Sequence, residues 1–556
     1  MKNQKNIKEI ENKNISKKII LELLFCILIL FVSECIFMRN FMFSDKMLGD
    51  LGDGRFTALS ADHWWRFISG KDSFSQIPVF YPNKTAIGYS DLHFAFGLIM
   101  IPLRLFGIDI YLAFKISVIA MHFCGLFSMF YLLFKVLKIT PVLSAMGTIA
   151  FSHCCGLSAV SNHPQLFAVG MMPILLIFTI RFIEEFNVRK KRNTYAFLTI
   201  GWFMLLVYTS WYMACFTGMF CLIFMIVYTV KMSGKYWNLK KWLKDIFSVL
   251  GKDVFCYLIY TVVLFIPFTM IYIPVMKEGS MYEYSGNYLP DPIDLINVSE
   301  NNMMFGWLMK LININARGRD HELTEGIAPV LLILFIISAI KLLKKSSTKE
   351  RLEKMIPATA VISTLICMFS VIRWNGGDFS FWAIVYALLI PMRAVHAVAR
   401  FLLWLCFPIS VLTAYQINKM KLFTKKNGKI FSVVLLGLMI FSTINKVGLV
   451  TCFNHSDRVL FLESIANAPE EMQSFYITDS TYSDYPWFAS QLDAWEIATV
   501  VNKPTLNGYS GHFPNGWGLA DPNADYYETY VEMWISENGL QKVFEYDKAT
   551  NSWKEH

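Results

Sequence analysis

Residues 19–38, with the sequence IILELLFCILILFVSECIFM, form an apolar run that follows a basic N-terminal stretch. A helix needs about 20 predominantly apolar residues to cross a bilayer, so this run is long enough to span one. The lysines of residues 1–18 resemble the start of a signal peptide, but no small-residue cleavage site follows the run. We therefore predict that residues 1–18 are a cytoplasmic N-terminus and that the first helix stays in the chain.

Apolar runs of similar length recur along the 556-residue chain, of which 55% is hydrophobic and 17% charged. Soluble globular chains carry about 45–50% apolar and about 25% charged residues. The basic residues gather in short segments between the runs, and such segments stay on the cytoplasmic side of a membrane. The net charge of +9 therefore indicates topology and not nucleic-acid binding. The runs predict about eleven spans, over residues 19–38, 109–134, 141–158, 165–183, 195–210, 212–230, 254–276, 327–343, 356–373, 395–416 and 430–450.

Two further apolar segments, residues 92–107 and 379–391, are short and interrupted by proline. These features favour interfacial or re-entrant helices over spans. The alternative that both segments span the membrane as a compensating pair stays open, and it leaves the C-terminus on the same side. The predicted fold is mainly α, a polytopic transmembrane helical bundle over residues 19–450.

Three long segments fall on the outward side of this topology, at residues 39–108, 277–326 and 451–556. The cytoplasmic segments are short, and the sequence has no G-x-x-x-x-G-K-S/T motif, which argues against ATP-driven transport by this chain alone. Ten of the eleven cysteines lie inside apolar segments, and no C-x-x-C pair occurs. We expect neither a disulfide framework nor a cysteine zinc site. Any chemistry is expected on the outward side.

The last segment, residues 451–556, has a different composition from the bundle. It carries sixteen Asp and Glu against five Lys and Arg, counted from Cys452 onwards. An acidic surface is not attracted to anionic lipid headgroups, so we expect this tail to project from the membrane. Residues 474–478 and 543–546 have the composition of strands, and 526–538 that of a helix ending near Gly539. The tail is predicted to be a small extracytoplasmic α/β domain.

The first outward segment contains the run Gly-Asp-Leu-Gly-Asp-Gly-Arg-Phe at residues 49–56. Its two carboxylates, Asp50 and Asp53, are three positions apart and surrounded by glycines. A carboxylate here would act as general base towards a hydroxyl, or would bind a divalent cation through oxygen atoms. The alternative is a solvated turn, because Asp and Gly are ordinary turn residues.

Further polar and aromatic residues of the outward segments are candidates for contact with a sugar. Aromatic residues at a membrane interface are also common as anchors. Asp91 precedes an apolar segment, so capping of a helix is an alternative role for it. His163 precedes the fourth span, and capping the start of that helix is likewise its alternative role. The candidate substrate-binding residues of this group are Arg55, His63, Tyr81, Asp91, His163 and Gln165.

A basic group precedes the tenth span. Arg393, His396 and Arg400 recur at intervals of three and four, so on a helix they would share one face. Cations in an apolar span usually face a partner or a cavity, and this face would suit a phosphate or diphosphate. Snorkelling of the side chains towards headgroups is the alternative. Arg317, Arg319 and His321 form a weaker anion candidate, and Glu322 and Glu325 beside them would neutralise those charges.

The layout and the motif order resemble the GT-C superfamily of polytopic membrane glycosyltransferases, including uncharacterised bacterial members. The motifs are Gly-Asp-Gly-Arg-Phe at 52–56, Tyr-Pro at 81–82, Tyr-Ser-Asp at 89–91 and His-Pro-Gln at 163–165. The resemblance covers residues 50–182 best and the rest by architecture. It implies transfer of a hexose or pentose from a polyprenyl-phosphate donor to an extracytoplasmic glycan, lipid or protein acceptor of the cell envelope.

The resemblance also implies roles for individual residues. Asp53 would be the general base and Asp50 its partner or a metal ligand, with Mg or Mn as the cation. The paired acidic residues of the superfamily are often separated by one position, whereas two intervene here, which leaves open which aspartate acts and whether a metal takes part. Arg393 and Arg400 would bind the lipid phosphate.

Two functions of other classes remain as alternatives to the enzyme. One is a transporter for a lipid-linked glycan, which would need paired broken helices or an internal repeat. The other is a non-catalytic protein that binds or assembles envelope glycans through its aromatic, glycine-containing tail. Both share with the enzyme a multi-pass location in the cell membrane.

Overall fold

The computed structural model describes residues 2–232, 244, 247–279, 284, 286–314, 321–344, 354–374, 379–420, 426–479 and 486–556. Arg317 and Arg319 of the weaker anion candidate lie outside the described residues. The helices of the first half are α1 (Lys2–Phe37), α2 (Asp53–Ile68), α3 (Phe94–Leu105), α4 (Ile110–Tyr131), α5 (Pro141–Ser152), α6 (Cys155–Ala159), α7 (Met172–Glu184), α8 (Arg189–Thr209) and α9 (Trp211–Met232).

The second half continues the bundle and ends in the tail. Its helices are α10 (Asp253–Lys277), α11 (Gly306–Leu311), α12 (Pro329–Leu343), α13 (Met355–Val371), α14 (Trp382–Leu388), α15 (Arg400–Lys419), α16 (Lys426–Thr443), α17 (His455–Ser464), α18 (Trp487–Val501) and α19 (Tyr527–Asn538). The strands of the chain are β1 (Lys46–Met47), β2 (Phe453–Asn454), β3 (Ser474–Thr478), β4 (Val543–Asp547) and β5 (Ser552–Glu555).

Local sequence explains several of the helix ends. The Asp109 carboxylate accepts hydrogen bonds from the first backbone N–H groups of α4, which otherwise lack a partner inside the helix. Proline is the first residue of α5 and of α12, where its fixed φ suits the helix and its missing N–H costs nothing. Gly539 adopts the left-handed conformation that terminates α19.

A helix lies at each of the eleven predicted spans, so the mainly α fold is confirmed. Within the part of the chain that the structure describes, seven helices are long and apolar enough to cross a membrane, and several shorter apolar helices accompany them. This is the pattern of a multi-pass membrane protein. The number of eleven spans stays a prediction.

The two short apolar segments do not form long helices. Residues 92–107 contain α3, whose 12 residues include Pro102. A helix of this length is about 18 Å long, shorter than a hydrocarbon core of about 30 Å. Residues 379–391 contain α14 and the start of a 3₁₀ helix at Ile390–Ala394. Both are shorter than a span requires, as expected for interfacial or re-entrant helices.

The three segments expected on the outward side lie together on one side of the bundle. Strand β1, from the first segment, pairs in antiparallel fashion with β2 at the start of the tail. The Asn515 side chain of the tail donates a hydrogen bond to the Glu278 carbonyl of the second segment. We refer to this side of the bundle as the loop face.

The tail contains the small α/β core that its sequence predicts. Strand β3 pairs in parallel with β4, and β4 pairs in antiparallel fashion with β5. Side chains of β3, β4 and α18, including Phe475, Ile477, Ala494 and Phe544, pack into one buried cluster. The predicted strands at 474–478 and 543–546 and the predicted helix at 526–538 are confirmed.

Candidate active site

A cavity of about 690 Å³ lies at the loop face, between the three segments and the ends of α9 and α10. This volume is within the range of pockets that hold small ligands. The polar and charged groups that line it are Asp53, Ser90, Asp91, His163, Gln165, Thr269, Glu322, His396, Arg400, Ser510 and His512. Its aromatic lining is Phe56, Tyr89, Trp211, Tyr212, Phe265, Phe268, Tyr272, Tyr288 and Tyr509.

The glycine-rich run places Asp53 at the edge of this cavity. Gly49 has a φ of +97°, and a Cβ at this position would lie 2.5 Å from the Cα of Gly54. The run therefore folds back on itself at a distance that only glycine allows. Asp53 becomes the first residue of α2, where a carboxylate is favoured by the helix dipole. The run is a packed turn, and the Asp53 side chain remains 27% exposed.

Asp53 is one end of a chain of contacts that crosses the cavity wall. Its Oδ2 atom lies 2.8 Å from Nδ1 of His163, and Nε2 of His163 lies 2.7 Å from Oε1 of Glu322. Glu322 in turn accepts two hydrogen bonds from Arg400, from Nη2 at 2.8 Å and from Nε at 3.1 Å. The imidazole is thus fixed between two carboxylates, and the guanidinium completes the series.

The same contacts shift the pKa values of these groups. Burial acts to raise the pKa of Asp53, but the hydrogen bond from His163 and the charges of His163 and Arg400 outweigh it, so the pKa is lowered. Burial and Arg400 act to lower the pKa of His163, but its hydrogen bonds to Asp53 and Glu322 leave it raised. At neutral pH the Asp53 carboxylate is therefore ionised.

Other predicted residues also reach the cavity. Burial raises the pKa of Asp91 to about 6, against a backbone hydrogen bond from Trp211 that lowers it. Asp91 thus caps α9 and not the apolar segment beside it in sequence. Gln165 accepts a hydrogen bond from Thr57 at 3.3 Å, and the His396 ring packs on an aromatic ring of the cavity wall.

Arg55, His63 and Tyr81, predicted to bind substrate, do not line the cavity. Arg55 is fully buried and paired with two carboxylates of α18. His63 is buried between the Asp72 carboxylate and the Phe74 carbonyl. The backbone of Tyr81 hydrogen-bonds to the tail, and its side chain packs against the tail core. Each of the three holds the first segment in place.

The prediction that Arg393, His396 and Arg400 share a helical face is wrong. The residues just before Arg400 are not helical, and α15 begins only at Arg400. His396 and Arg400 still line the cavity, whereas Arg393 does not. The Arg393 guanidinium bonds instead to the carbonyls of Tyr386 and Ala387 and lies over the Tyr386 ring.

Asp50 lies beside the site but is not among the residues that line the cavity. Its carboxylate accepts a hydrogen bond from the Gly52 backbone N–H at 2.9 Å. Burial, followed by the nearby Asp53 charge, raises its pKa. The two carboxylates of the predicted Mg or Mn site are thus each bound by a group of the protein, Asp50 by the Gly52 N–H and Asp53 by His163.

Two parts of the cavity wall were absent from the residues predicted by sequence. Glu322 was expected only to neutralise nearby arginines, but it pairs with Arg400 and His163. The tail residues 509–512 close the cavity, and the Tyr509 hydroxyl lies 3.5 Å from Oδ1 of Asp53. The signal for Glu322 was weak, since nothing in the sequence relates it to residues 78 and 159 positions away.

A second cavity, of about 660 Å³, adjoins the first. Its lining comes from α8, α9, α10 and the segment before α15, and it is mostly apolar. Trp211, Phe265 and Pro391 line both cavities. The polar site therefore lies beside an apolar groove in the helix bundle.

A separate group of residues could hold a metal ion. Glu34, His122 and His153 are buried, and one ligand atom of each lies within 4.8 Å of the others. The group lies on α1, on α4 and directly after α5, and it does not include Asp50 or Asp53.

Comparison with known proteins returned structures only. No protein-family model matches the chain, and no curated protein matches it at a significant level. Arabinofuranosyltransferase AftD from Mycobacteria matches with a TM-score of 0.47 and 11% identity, over 86% of this chain and 32% of AftD. ArnT from Cupriavidus metallidurans in the apo state matches with a TM-score of 0.40 and 12% identity, over 96% and 93%. The Archaeoglobus fulgidus oligosaccharyltransferase, in complex with Zn and sulfate, matches with a TM-score of 0.42 and 10% identity, over 93% and 67%.

These structures are GT-C glycosyltransferases. They belong to the superfamily that the sequence resembles. The chain spans about a third of the length of AftD, and ArnT has also been solved bound to undecaprenyl phosphate. With TM-scores below 0.5 and identities of 10–12%, the likeness assigns no activity to this chain.

Proposed function

We infer that the chain is a membrane glycosyltransferase that moves a sugar from a polyprenyl-phosphate donor to an acceptor of the cell envelope. The observation that carries this proposal is that Asp53 and Arg400 line the same cavity. Aromatic rings line it with them, and an apolar groove lies beside it. Each of these features corresponds to one part of the two substrates.

Asp53 is the general base of the proposed reaction. Its Oδ1 atom, the oxygen that does not face His163, takes the proton of the acceptor hydroxyl as that oxygen attacks the anomeric carbon of the donor. The bond from the anomeric carbon to the phosphate oxygen breaks, and polyprenyl phosphate leaves. No step requires a metal at Asp50 and Asp53.

Arg400 stabilises the negative charge that grows on the leaving phosphate. It is 7% exposed at the cavity wall, and Glu322 holds its orientation through two hydrogen bonds. The apolar groove lined by Trp211 and Phe265 suits the polyprenyl chain. Tyr509 and Tyr288 offer flat surfaces for a sugar ring.

The orientation is part of the proposal. The N-terminus and the short basic segments face the cytoplasm, and the loop face with its acidic tail faces outward. The acceptor is then a glycan, lipid or protein of the envelope. This arrangement places the donor tail in the membrane and the reacting sugar at its outward surface.

The test is turnover by the full chain in lipid nanodiscs. Undecaprenyl phosphate carrying a labelled hexose or pentose is mixed with an envelope fraction, and released undecaprenyl phosphate is measured by mass spectrometry. We expect turnover of at least one donor, and Asp53→Asn is expected to reduce it by about 10²–10⁴-fold, the contribution of a general base.

The matched control is Asp457→Asn, which removes a carboxylate of α17 outside the cavity and is expected to leave turnover unchanged. All variants are compared at equal amounts of monodisperse protein in size-exclusion chromatography. Full turnover by Asp53→Asn would contradict its role as base, and binding of every donor without turnover would contradict the enzyme.

A further inference from the structure

We propose that Glu34, His122 and His153 bind one divalent metal ion of the zinc class, at a site separate from the cavity. Three independent helical elements supply the ligands: α1, α4 and the residue that ends α5. All three side chains are buried. The ion would join these elements inside the bundle.

The ligand atoms of the three residues already lie within 4.8 Å of one another. Oε2 of Glu34 lies 3.1 Å from Nε2 of His122 and 2.8 Å from Nε2 of His153. Zinc binds imidazole nitrogen and carboxylate oxygen at about 2.0–2.2 Å in tetrahedral geometry, which places two ligand atoms about 3.3 Å apart. The two distances between the carboxylate and the imidazoles therefore differ from this value by about half an ångström or less.

The second oxygen of Glu34 supports an ion in preference to a simple hydrogen-bonded cluster. Glu34 is 0% exposed, and its Oε1 atom has no hydrogen-bond partner in the part of the chain that the structure describes. A buried carboxylate oxygen without a partner is costly, and a carboxylate inside an apolar helix more so. A cation among the three ligands would compensate the charge of Glu34 and give this buried carboxylate a partner besides the two imidazoles.

The surroundings fix the two imidazoles in a ligating orientation. The Phe37 ring stacks on both, at 5.2 Å from the His122 ring and 4.8 Å from the His153 ring, and Phe167 contacts His122 from another side. Rigid support of this kind keeps ligands in place before the ion binds. The two imidazoles therefore keep their orientation when the ligand atoms move apart to admit the ion.

The donor set defines the class of metal. Two imidazoles and one carboxylate suit zinc and neighbouring transition metals, whereas magnesium and calcium prefer oxygen ligands. Three protein ligands leave one tetrahedral position for water. His153 also lines a cavity of about 10 Å³, which is roughly the volume that one water molecule needs.

The experiment measures metal content and not activity, so it is independent of the proposed transferase. The full chain is purified in detergent, loaded with zinc or magnesium chloride, passed over a metal-free column and analysed by mass spectrometry for metals. We expect about one zinc and no retained magnesium per chain. Glu34→Gln and His153→Gln are each expected to reduce retained zinc about tenfold or more.

His455→Gln is the matched control, since His455 bonds to Asp109 and lies outside the group. It is expected to retain one zinc. X-ray absorption on the wild type gives a second measurement that does not depend on folded variants, and we expect a shell of nitrogen and oxygen with two imidazoles. Sulfur in that shell, or wild-type protein that retains less than about a tenth of a zinc, would overturn the proposal and leave a hydrogen-bonded cluster.

Discussion

Asp53 and Arg55 are two positions apart, yet each begins a buried network of a different kind. Asp53 leads through His163 to the cavity wall, and its side chain is 27% exposed. Arg55 points into the tail, where Asp493 Oδ1 at 2.5 Å and Glu496 Oε1 at 2.9 Å accept from its guanidinium, and it is 0% exposed.

The difference follows from the geometry of the first turn of α2. Residues two apart on a helix point to nearly opposite sides. One side of α2 faces the cavity and the other faces α18, where Arg458 and Lys548 also reach the acidic pair. A charged residue in a motif is therefore assigned to chemistry or to stability by the side of the helix that it occupies, and access to a cavity distinguishes the two networks.

The largest expected effect is on the buried network that begins at Arg55. Arg55→Met leaves Asp493 and Glu496 buried with fewer cations, and breaking a buried ion pair costs about 3–5 kcal/mol. Because Arg458 and Lys548 remain nearby, we expect a loss of about 3 kcal/mol in unfolding free energy. It is measured as a lower midpoint of thermal unfolding by fluorescence-detected size-exclusion chromatography, with Arg39→Met as the control because Arg39 is exposed. An unchanged midpoint would contradict the structural role of Arg55.

A change in the network that leads from Asp53 to the cavity wall is expected to lower the affinity for ligand. Arg400→Gln removes a cation from the cavity, and hydrogen bonds to charged groups contribute about 1.5–3 kcal/mol. Affinity for labelled undecaprenyl phosphate is expected to fall about 10- to 100-fold in a filter-binding assay. Arg393→Gln is the matched control, because Arg393 does not line the cavity. Equal losses in both variants would mean that the two arginines act together, as their spacing in sequence suggests.

A smaller effect concerns pH. The raised pKa of His163 means that its contacts with Asp53 and Glu322 stabilise the fold most in the protonated state. That contribution is complete below the ordinary histidine pKa of about 6.5 and is lost as the pH rises through the raised value. We expect His163→Gln to cost about 1 kcal/mol at pH 6 and less at pH 8.5, in the same unfolding measurement. A cost that grows with pH would have the wrong sign.

The smallest expected effect is at Asp50. Asp50→Asn keeps an oxygen that can accept the Gly52 N–H and removes a charge whose pKa is already raised by burial and by Asp53. Turnover is expected to change less than about threefold and stability by less than about 0.5 kcal/mol, the usual range for such a change. A loss as large as that of Asp53→Asn would instead identify Asp50 as the catalytic partner that the resemblance implies.

The helices could be predicted from the sequence because their signal is local: a run such as residues 19–38 states its own length and polarity. The site could be predicted in part for the same reason. Asp53 stood out between two glycines, and His163 stood out beside a proline at the start of a predicted span. Arg400 shows the limit of this approach. Its contact with a ligand site was expected, but the prediction that it shares a helical face with Arg393 was wrong. No local sequence signal indicates that the helix begins at residue 400.

The remaining errors come from partners that are remote in sequence. Arg55 was expected to contact a sugar because the acidic residues that bury it lie 438 and 441 positions later. Glu322 was overlooked because its partner Arg400 comes from another helix. Periodicity and spacing describe neighbours along the chain, and these contacts are set by packing of the whole bundle.

The contacts between the first segment and the tail also impose an order on assembly. Strand β1 cannot pair until β2 has been synthesised, and Asp53 cannot contact Tyr509 until a further 456 residues have been synthesised. At synthesis rates of about 5–20 residues per second, roughly 20 to 90 seconds separate the two halves of the site. A nascent chain already inserted in the membrane thus carries the Asp53 carboxylate before the tail covers it. The cavity is complete only when the last hundred residues pack against the bundle.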